Sequence, residues 1–135
     1  MTRTLLAAAL CLAIPVAAFA ADETYVIDGT HSQPSFEVQH MGGFSLQHGV
    51  FTKSSGKVVI DRAARSGSID VSIDTSSVRS LNERLDTNLK GEDYFNVAKY
   101  PAMTFKSSKL TFDGDKVVAA DGELTMSACA WLLPL

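Results

Sequence analysis

Ser68-Ile69-Asp70-Val71-Ser72-Ile73-Asp74 decides the fold class. On an extended chain Ile69, Val71 and Ile73 point to one side and only Ser and Asp to the other. That is a strand with one buried and one wet face, the signature of antiparallel structure. Thr75-Ser76-Ser77 ends it. Upstream, Thr24 to Asp28 reads as a first strand, with Tyr25 and Ile27 on one face and Val26 on the other, and Gly29 breaks it. Gln33 to His40 sets Phe36, Val38 and His40 against Ser35, Glu37 and Gln39. Met41-Gly42-Gly43-Phe44 reads as a turn with hydrophobic shoulders. Val50 to Thr52 and Lys57 to Ile60 read as strands, with Ser54-Ser55-Gly56 as turn chemistry between them.

Downstream the period changes. Leu81, Leu85 and Leu89 recur every four residues among polar ones, which predicts a short amphipathic helix over Leu81 to Lys90, ended by Gly91. Tyr94 to Phe105 follows as a corner. Tyr100 precedes Pro101 and is biased to extended backbone, and Met103 and Phe105 then alternate with Thr104 and Lys106. Tyr94, Phe95 and Tyr100 flank this corner as aromatics suited to packing at one end of the fold. Met103 to Ser107, Lys109 to Phe112, Val117 to Ala119 and Gly122 to Met126 complete the strands, with Asp113-Gly114-Asp115 as a hairpin turn. Many short strands and one helix predict an all-β barrel or sandwich.

The chain has 135 residues, 46% hydrophobic and 20% charged, with a formal net charge of -3, which suits one domain and gives no basic surface for nucleic acid. Residues 1–20 differ in kind. Arg3 is their one charge, Leu5 to Val16 is apolar but short for a span, and Ala18-Phe19-Ala20 offers small residues to a signal peptidase. A secretory signal cleaved between Ala20 and Ala21 is expected, leaving an exported, periplasmic protein without a stable membrane anchor. Residues 21–126 then form the domain. Cys129 is the one cysteine left, so no internal disulfide forms and packing must supply stability. Ser127 to Leu135 has neither alternation nor charge and reads as an atypical apolar tail.

Catalytic signatures are weak. His31, His40 and His48 stand nine and eight residues apart, a spacing that matches no compact ligand motif, so no metal and no cofactor are expected. His40 reads as a strand histidine at the mouth of the fold. His31-Ser32 is a sequence neighbour pair without a nucleophile-elbow motif, and no enzyme activity is expected.

Several phrases occur in order: Tyr25-Val26-Ile27-Asp28, His31-Ser32 with Phe36-Glu37-Val38-Gln39-His40, Gly49-Val50-Phe51, and Val71 to Val78. Leu85 to Lys90, Asp93 to Pro101, Thr104 to Ser107 and Gly122 to Thr125 continue the series. Together they resemble the YceI-like family of exported polyisoprenoid-binding proteins. The resemblance implies a lipocalin-like antiparallel barrel of eight strands around a long apolar cavity for a quinone or polyprenyl chain, and no catalysis. The cavity-lining candidates are then Phe36, Val38, His40, Phe51, Ile69, Val71, Ile73, Met103 and Phe105, since core and ligand share one face in such a barrel. Two departures stand out. The family usually carries a histidine where this chain has Asn88, which weakens a head-group role carried over to that position. After Gly122-Glu123-Leu124-Thr125 the family continues with a Gly-Val-Thr-like turn and closing strands, where this chain has Ser127 to Leu135. An incomplete barrel from a truncated or frame-shifted product is expected, with a natural short variant as the alternative. Three readings follow: an isoprenoid-lipid carrier, a non-functional or partner-dependent fragment that self-associates through open sheet edges, and a metal-dependent exported enzyme through His31 and His40.

Overall fold

Alternation along Ser68–Asp74 places that segment at the centre of an antiparallel sheet. The computed structural model describes residues 22–126 and 129–134. The expected signal segment and its cleavage site at Ala20 and Ala21 lie outside them. The strands are β1 (Glu23–Val26), β2 (Ser35–His40), β3 (Ser45–Phe51), β4 (Ser54–Asp61), β5 (Ser66–Asp74), β6 (Val78–Arg79), β7 (Ala102–Asp113), β8 (Lys116–Met126) and β9 (Cys129–Pro134). One helix, α1 (Glu83–Lys90), lies between β6 and β7. One sheet runs β1-β4-β5-β7-β8-β9 and a second runs β2-β3-β6. The fold is all-β and antiparallel, with a barrel-like wall that is not closed among the described residues.

The two faces of the larger sheet follow from the strand pattern. On the inner face Val71 pairs with Phe105 and Phe105 with Leu124, while Ile73 pairs with Met103. On the outer face Lys57, Asp70, Lys106 and Glu123 stand opposite one another across four strands, alternating in sign. Lys106 Nζ lies 3.6 Å from Asp70 Oδ2, an exposed pair that contributes at most about 1 kcal/mol. Burial therefore sets the register and charge only decorates it.

The second sheet closes over the first through aromatic rings. Phe36 of β2, Phe51 of β3 and Phe95 of the corner form a triad with centroid separations of 5.7, 6.0 and 5.2 Å. Phe51, Ile73, Val78, Leu89 and Met103 make the buried core beneath it. Gly49 is required here: a Cβ at this position would strike the Phe36 ring.

Several expected boundaries move. Ser54-Ser55-Gly56 is strand rather than turn, because it ladders with Ile73, Ser72 and Val71. The chain instead changes sheets at Thr52 and Lys53, where Thr52 N–H donates to the Ser77 carbonyl and Asp74 N–H to the Lys53 carbonyl. The strand expected at Val50 to Thr52 extends back to Ser45, paired with β2 through Ser35↔Val50 to His40↔Ser45. The two strands expected on each side of Asp113-Gly114-Asp115 are continuous, β7 and β8, with register shifts at Ser107/Lys109 and Thr111/Phe112 absorbing the irregular pattern. Cys129–Pro134, expected to be an apolar tail, is a strand laddered on β8 from Met126↔Cys129 to Asp121↔Pro134. Lack of alternation hid it, because a six-residue apolar run fits a strand as well as it fits no element.

The helix begins later than its leucines suggest. Leu81 takes φ 64, and Asn82 caps α1 by accepting a hydrogen bond from Leu85 N–H at 3.1 Å. Asp86 accepts from both the N–H and the hydroxyl of Ser80 at 2.7 Å, which ties the helix to β6 and holds its carboxyl below the usual range. Gly91 ends the helix in extended backbone (φ -71, ψ 175), not in the left-handed form a terminal glycine usually takes.

The proline corner is fastened to the end of β5. Thr75, 1% exposed, donates its N–H to the Pro101 carbonyl at 3.0 Å and its hydroxyl to the Tyr100 carbonyl at 2.7 Å. Thr75→Val keeps the shape but leaves the Tyr100 carbonyl without its donor. We expect a loss of about 1–3 kcal/mol in a denaturant titration, with Thr75→Ser retaining most of the stability. A loss in Thr75→Ser with none in Thr75→Val would show that the methyl, not the hydroxyl, matters.

The first loop carries an acid-sensitive turn. Asp28 accepts from Thr30 N–H at 2.9 Å and Thr30 hydroxyl at 2.6 Å, and His31 Nδ1 lies 2.7 Å away. The Thr30 hydroxyl first and the His31 ring second lower its carboxyl from 3.8 to about 2. A depressed carboxylate stabilises the fold above its unfolded value and ceases to do so as pH falls through the folded one. Wild type should therefore be more stable than Asp28→Asn above about pH 4, and the difference should shrink as pH falls and vanish only below about pH 2 in thermal melts. A difference independent of pH would refute the assignment.

Candidate functional site

An apolar cavity of about 630 Å³ lies between the two sheets. Phe36 and Val38 of β2 and Phe51 of β3 form one wall, and Val71, Ile73, Met103, Phe105 and Leu124 of the larger sheet form the other. Phe95 and Met126 also line it, as do Pro34 and Ser35 at the start of β2. The walls are apolar because the inward positions of every contributing strand are: Val71 and Phe105 are cross-strand partners, and so are Phe105 and Leu124. A surface of this kind recognises length and shape of a hydrocarbon, not a functional group.

A second depression of about 530 Å³ opens beside it and shares Phe36 and Val38. Its lining is mixed: Gln39 and His40 of β2, Gln47 of β3, and Asn82, Arg84 and Asn88 of the helix segment supply polar groups alongside Leu85, Leu89 and Tyr94. Leu85 and Leu89 turn inward to the core, so the same helix presents Arg84 and Asn88 to the mouth. Arg84 meets no carboxylate within ion-pairing distance among the described residues. The two depressions together make a long apolar groove ending in a hydrogen-bonding vestibule.

Of the residues expected to line a cavity, Phe36, Val38, Phe51, Val71, Ile73, Met103 and Phe105 line the apolar groove. His40 lines the vestibule, with Nδ1 3.4 Å from the Ser45 hydroxyl. Ile69 lies outside both. Half-buried like Val71, it lines a separate depression with Lys57, Asp70 and Lys106. His31 pairs with Asp28 at 2.7 Å and His48 with Glu37 at 3.3 Å, so the three histidines have separate partners. Among the described residues no three metal-ligating side chains stand together. Phe95, Leu124 and Met126 were not legible as lining residues, although Leu124 and Met126 do alternate with Glu123 and Thr125. The vestibule was not legible at all, because Gln47 of β3 and Asn82 and Arg84 of the helix segment come from two parts of the chain that the sequence does not bring together.

The comparisons with known proteins agree with this geometry. A YceI-like domain matches residues 25–128. A UPF0312 protein of Vibrio cholerae is 36% identical over 131 residues, covering 93% of this chain and 68% of that protein. One of Shewanella denitrificans is 37% identical over 132 residues, covering 94% and 68%. Among solved structures, the Campylobacter jejuni YceI protein superposes with TM-score 0.61 at 28% identity, covering 82% of this chain and 65% of that one. A polyisoprenoid binding domain from Saccharophagus degradans, implicated in plant cell wall breakdown, shares the fold with TM-score 0.54 at 19% identity, covering 76% and 58%. The chain thus spans a little under two thirds of the length of these structures. By matched span, relatives and fold, this chain belongs to the YceI-like family.

Proposed function

We propose that this chain is a non-catalytic, exported lipid-binding protein that holds one polyisoprenoid chain, of the quinone or polyprenyl type, in the groove between its sheets. The observation that carries this reading is the groove itself, about 630 Å³ walled by Val71, Ile73, Met103, Phe105, Phe36 and Phe51. Each buried CH₂ of a ligand contributes roughly 0.8 kcal/mol, so affinity grows with chain length. Arg84, Asn82, Asn88 and His40 would meet the polar head in the vestibule. Membership of the YceI-like family, and a structural neighbour described as a polyisoprenoid binding domain, support a binding rather than a catalytic role. Periplasmic residence rests on the apolar leader read from residues 1–20. Solvent extraction of the purified protein followed by mass spectrometry, together with titration by a polyprenol, tests the binding. A protein that carries no polyprenyl lipid and takes none up refutes it.

A second reading has one observation behind it. Among the described residues β1 ladders with β4 alone and β9 with β8 alone, so each presents one open edge. A chain that binds lipid only as a dimer or with a partner would use these edges. Light scattering at several concentrations distinguishes this from a monomeric carrier.

A further inference from the structure

The large hydrophobic side chains left in water are not spread evenly over the molecule. Among the described residues nine stand out, and six of them, Val38 (51% exposed), Met41 (75%), Phe44 (88%), Leu46 (52%), Leu81 (104%) and Tyr94 (60%), lie around the vestibule, whereas Tyr25, Val26 and Val118 lie elsewhere. Val38 and Tyr94 line it directly. The pairing His40↔Ser45 and Gln39↔Leu46 carries Met41, Phe44 and Leu46 out on the tip of the hairpin whose strands form its wall. Leu81 immediately precedes Asn82, which lines the vestibule from the helix side. An apolar rim thus borders the vestibule at the mouth of the groove.

The backbone supports the same conclusion independently. Met41 has φ 52 and Leu81 φ 64, left-handed conformations that disfavour both side chains. Gly42 and Gly43 continue the left-handed run at φ 67 and 96. Strain of this kind usually serves burial or function, and here both strained side chains point into solvent, where burial gains nothing. Charge is arranged to match. From Val38 to Phe51 there is no Asp, Glu, Lys or Arg, in a chain that is 20% charged. Arg84 at the mouth is not matched by a carboxylate among the described residues.

We propose that this rim is a membrane-docking surface: Met41, Phe44 and Leu81 enter the interface of a lipid bilayer and place the groove mouth against it. The inference rests on the lipid-carrier reading for its choice of occupant, since a polyisoprenoid must enter from a bilayer and this is the end by which it would enter. An apolar hairpin tip without Asp, Glu, Lys or Arg, beside Arg84, which meets no carboxylate within ion-pairing distance among the described residues, suits a lipid surface with anionic headgroups, although Glu83, Glu92 and Asp93 flank Leu81 and Tyr94 in sequence.

Flotation with vesicles free of polyprenoid tests it, using phosphatidylcholine alone and phosphatidylcholine with phosphatidylglycerol. The full chain should float with the anionic vesicles and less with the neutral ones. Met41→Ser combined with Phe44→Ser should lower the bound fraction about ten-fold or more, while Phe44→Leu should retain it. Thermal melts of each variant should match wild type, because these side chains contact no core. The double variant should also take up vesicle-borne polyprenol more slowly, yet bind polyprenol delivered from ethanol as tightly as wild type. Absence of flotation on either vesicle, or flotation indifferent to the double substitution, overturns the proposal. So does a dimer in light scattering that Met41→Ser with Phe44→Ser dissolves, which would assign the rim to a second copy. Flotation without uptake of ethanol-delivered polyprenol would instead refute the carrier reading and leave the docking surface standing.

Discussion

Val71→Glu should leave the chain folded and weaken polyprenol binding by roughly 500-fold at pH 7. Val71 is half-buried, lies opposite Gly56 on one neighbouring strand and Phe105 on the other, and faces the groove. In the unoccupied groove a carboxylate there reaches water. With a hydrocarbon seated against it, the carboxylate must either be desolvated or take up a proton. Protonating a glutamate of ordinary pKa at pH 7 costs about 3.7 kcal/mol, the cheaper of the two routes. Affinity should therefore recover as pH falls, with the penalty near pH 5 reduced to about 1 kcal/mol. Isothermal titration at the two pH values checks both statements. Unchanged affinity at pH 7 would show that the lipid does not lie between the sheets.

Phe51→Ala should cost about 3–5 kcal/mol of folding stability, the largest effect expected of one core substitution. Phe51 is 4% exposed, its strand partner is Val78, and its ring meets Phe36 and Phe95. It is the residue through which the smaller sheet is held against Ile73 and Met103 of the larger one. Small domains are stable by only about 5–15 kcal/mol, so the loss is a large share of the total. A lower denaturation midpoint at unchanged slope would report it. A loss under about 1 kcal/mol would mean that the sheets are held together elsewhere.

The contrast between these two positions shows where sequence reasoning succeeds. Val71 and Phe51 both read as inward-facing apolar residues, and both are. Both line the groove, and only Phe51 also belongs to the buried core, which depends on what lies opposite. Val71 faces open groove beside a glycine partner, whereas Phe51 faces two aromatic rings. Ile69 has the same local pattern and burial as Val71, yet does not line the groove. Alternation reports a face, not which part of that face borders the groove.

By itself the sequence determined the antiparallel all-β class, the inward set on β5 and β7, the short helix and the family. These follow from neighbours within a few residues, where side-chain period and turn chemistry act directly. Tertiary structure alone decided the rest. It made Ser54–Gly56 strand, joined the split strands around Gly114, laid Cys129–Pro134 on β8, and gathered Arg84, Asn82, Gln47 and His40 into one mouth. The physical reason is common to all four: each depends on a hydrogen-bonding edge or packing surface supplied by residues far away in the chain, which no local pattern encodes.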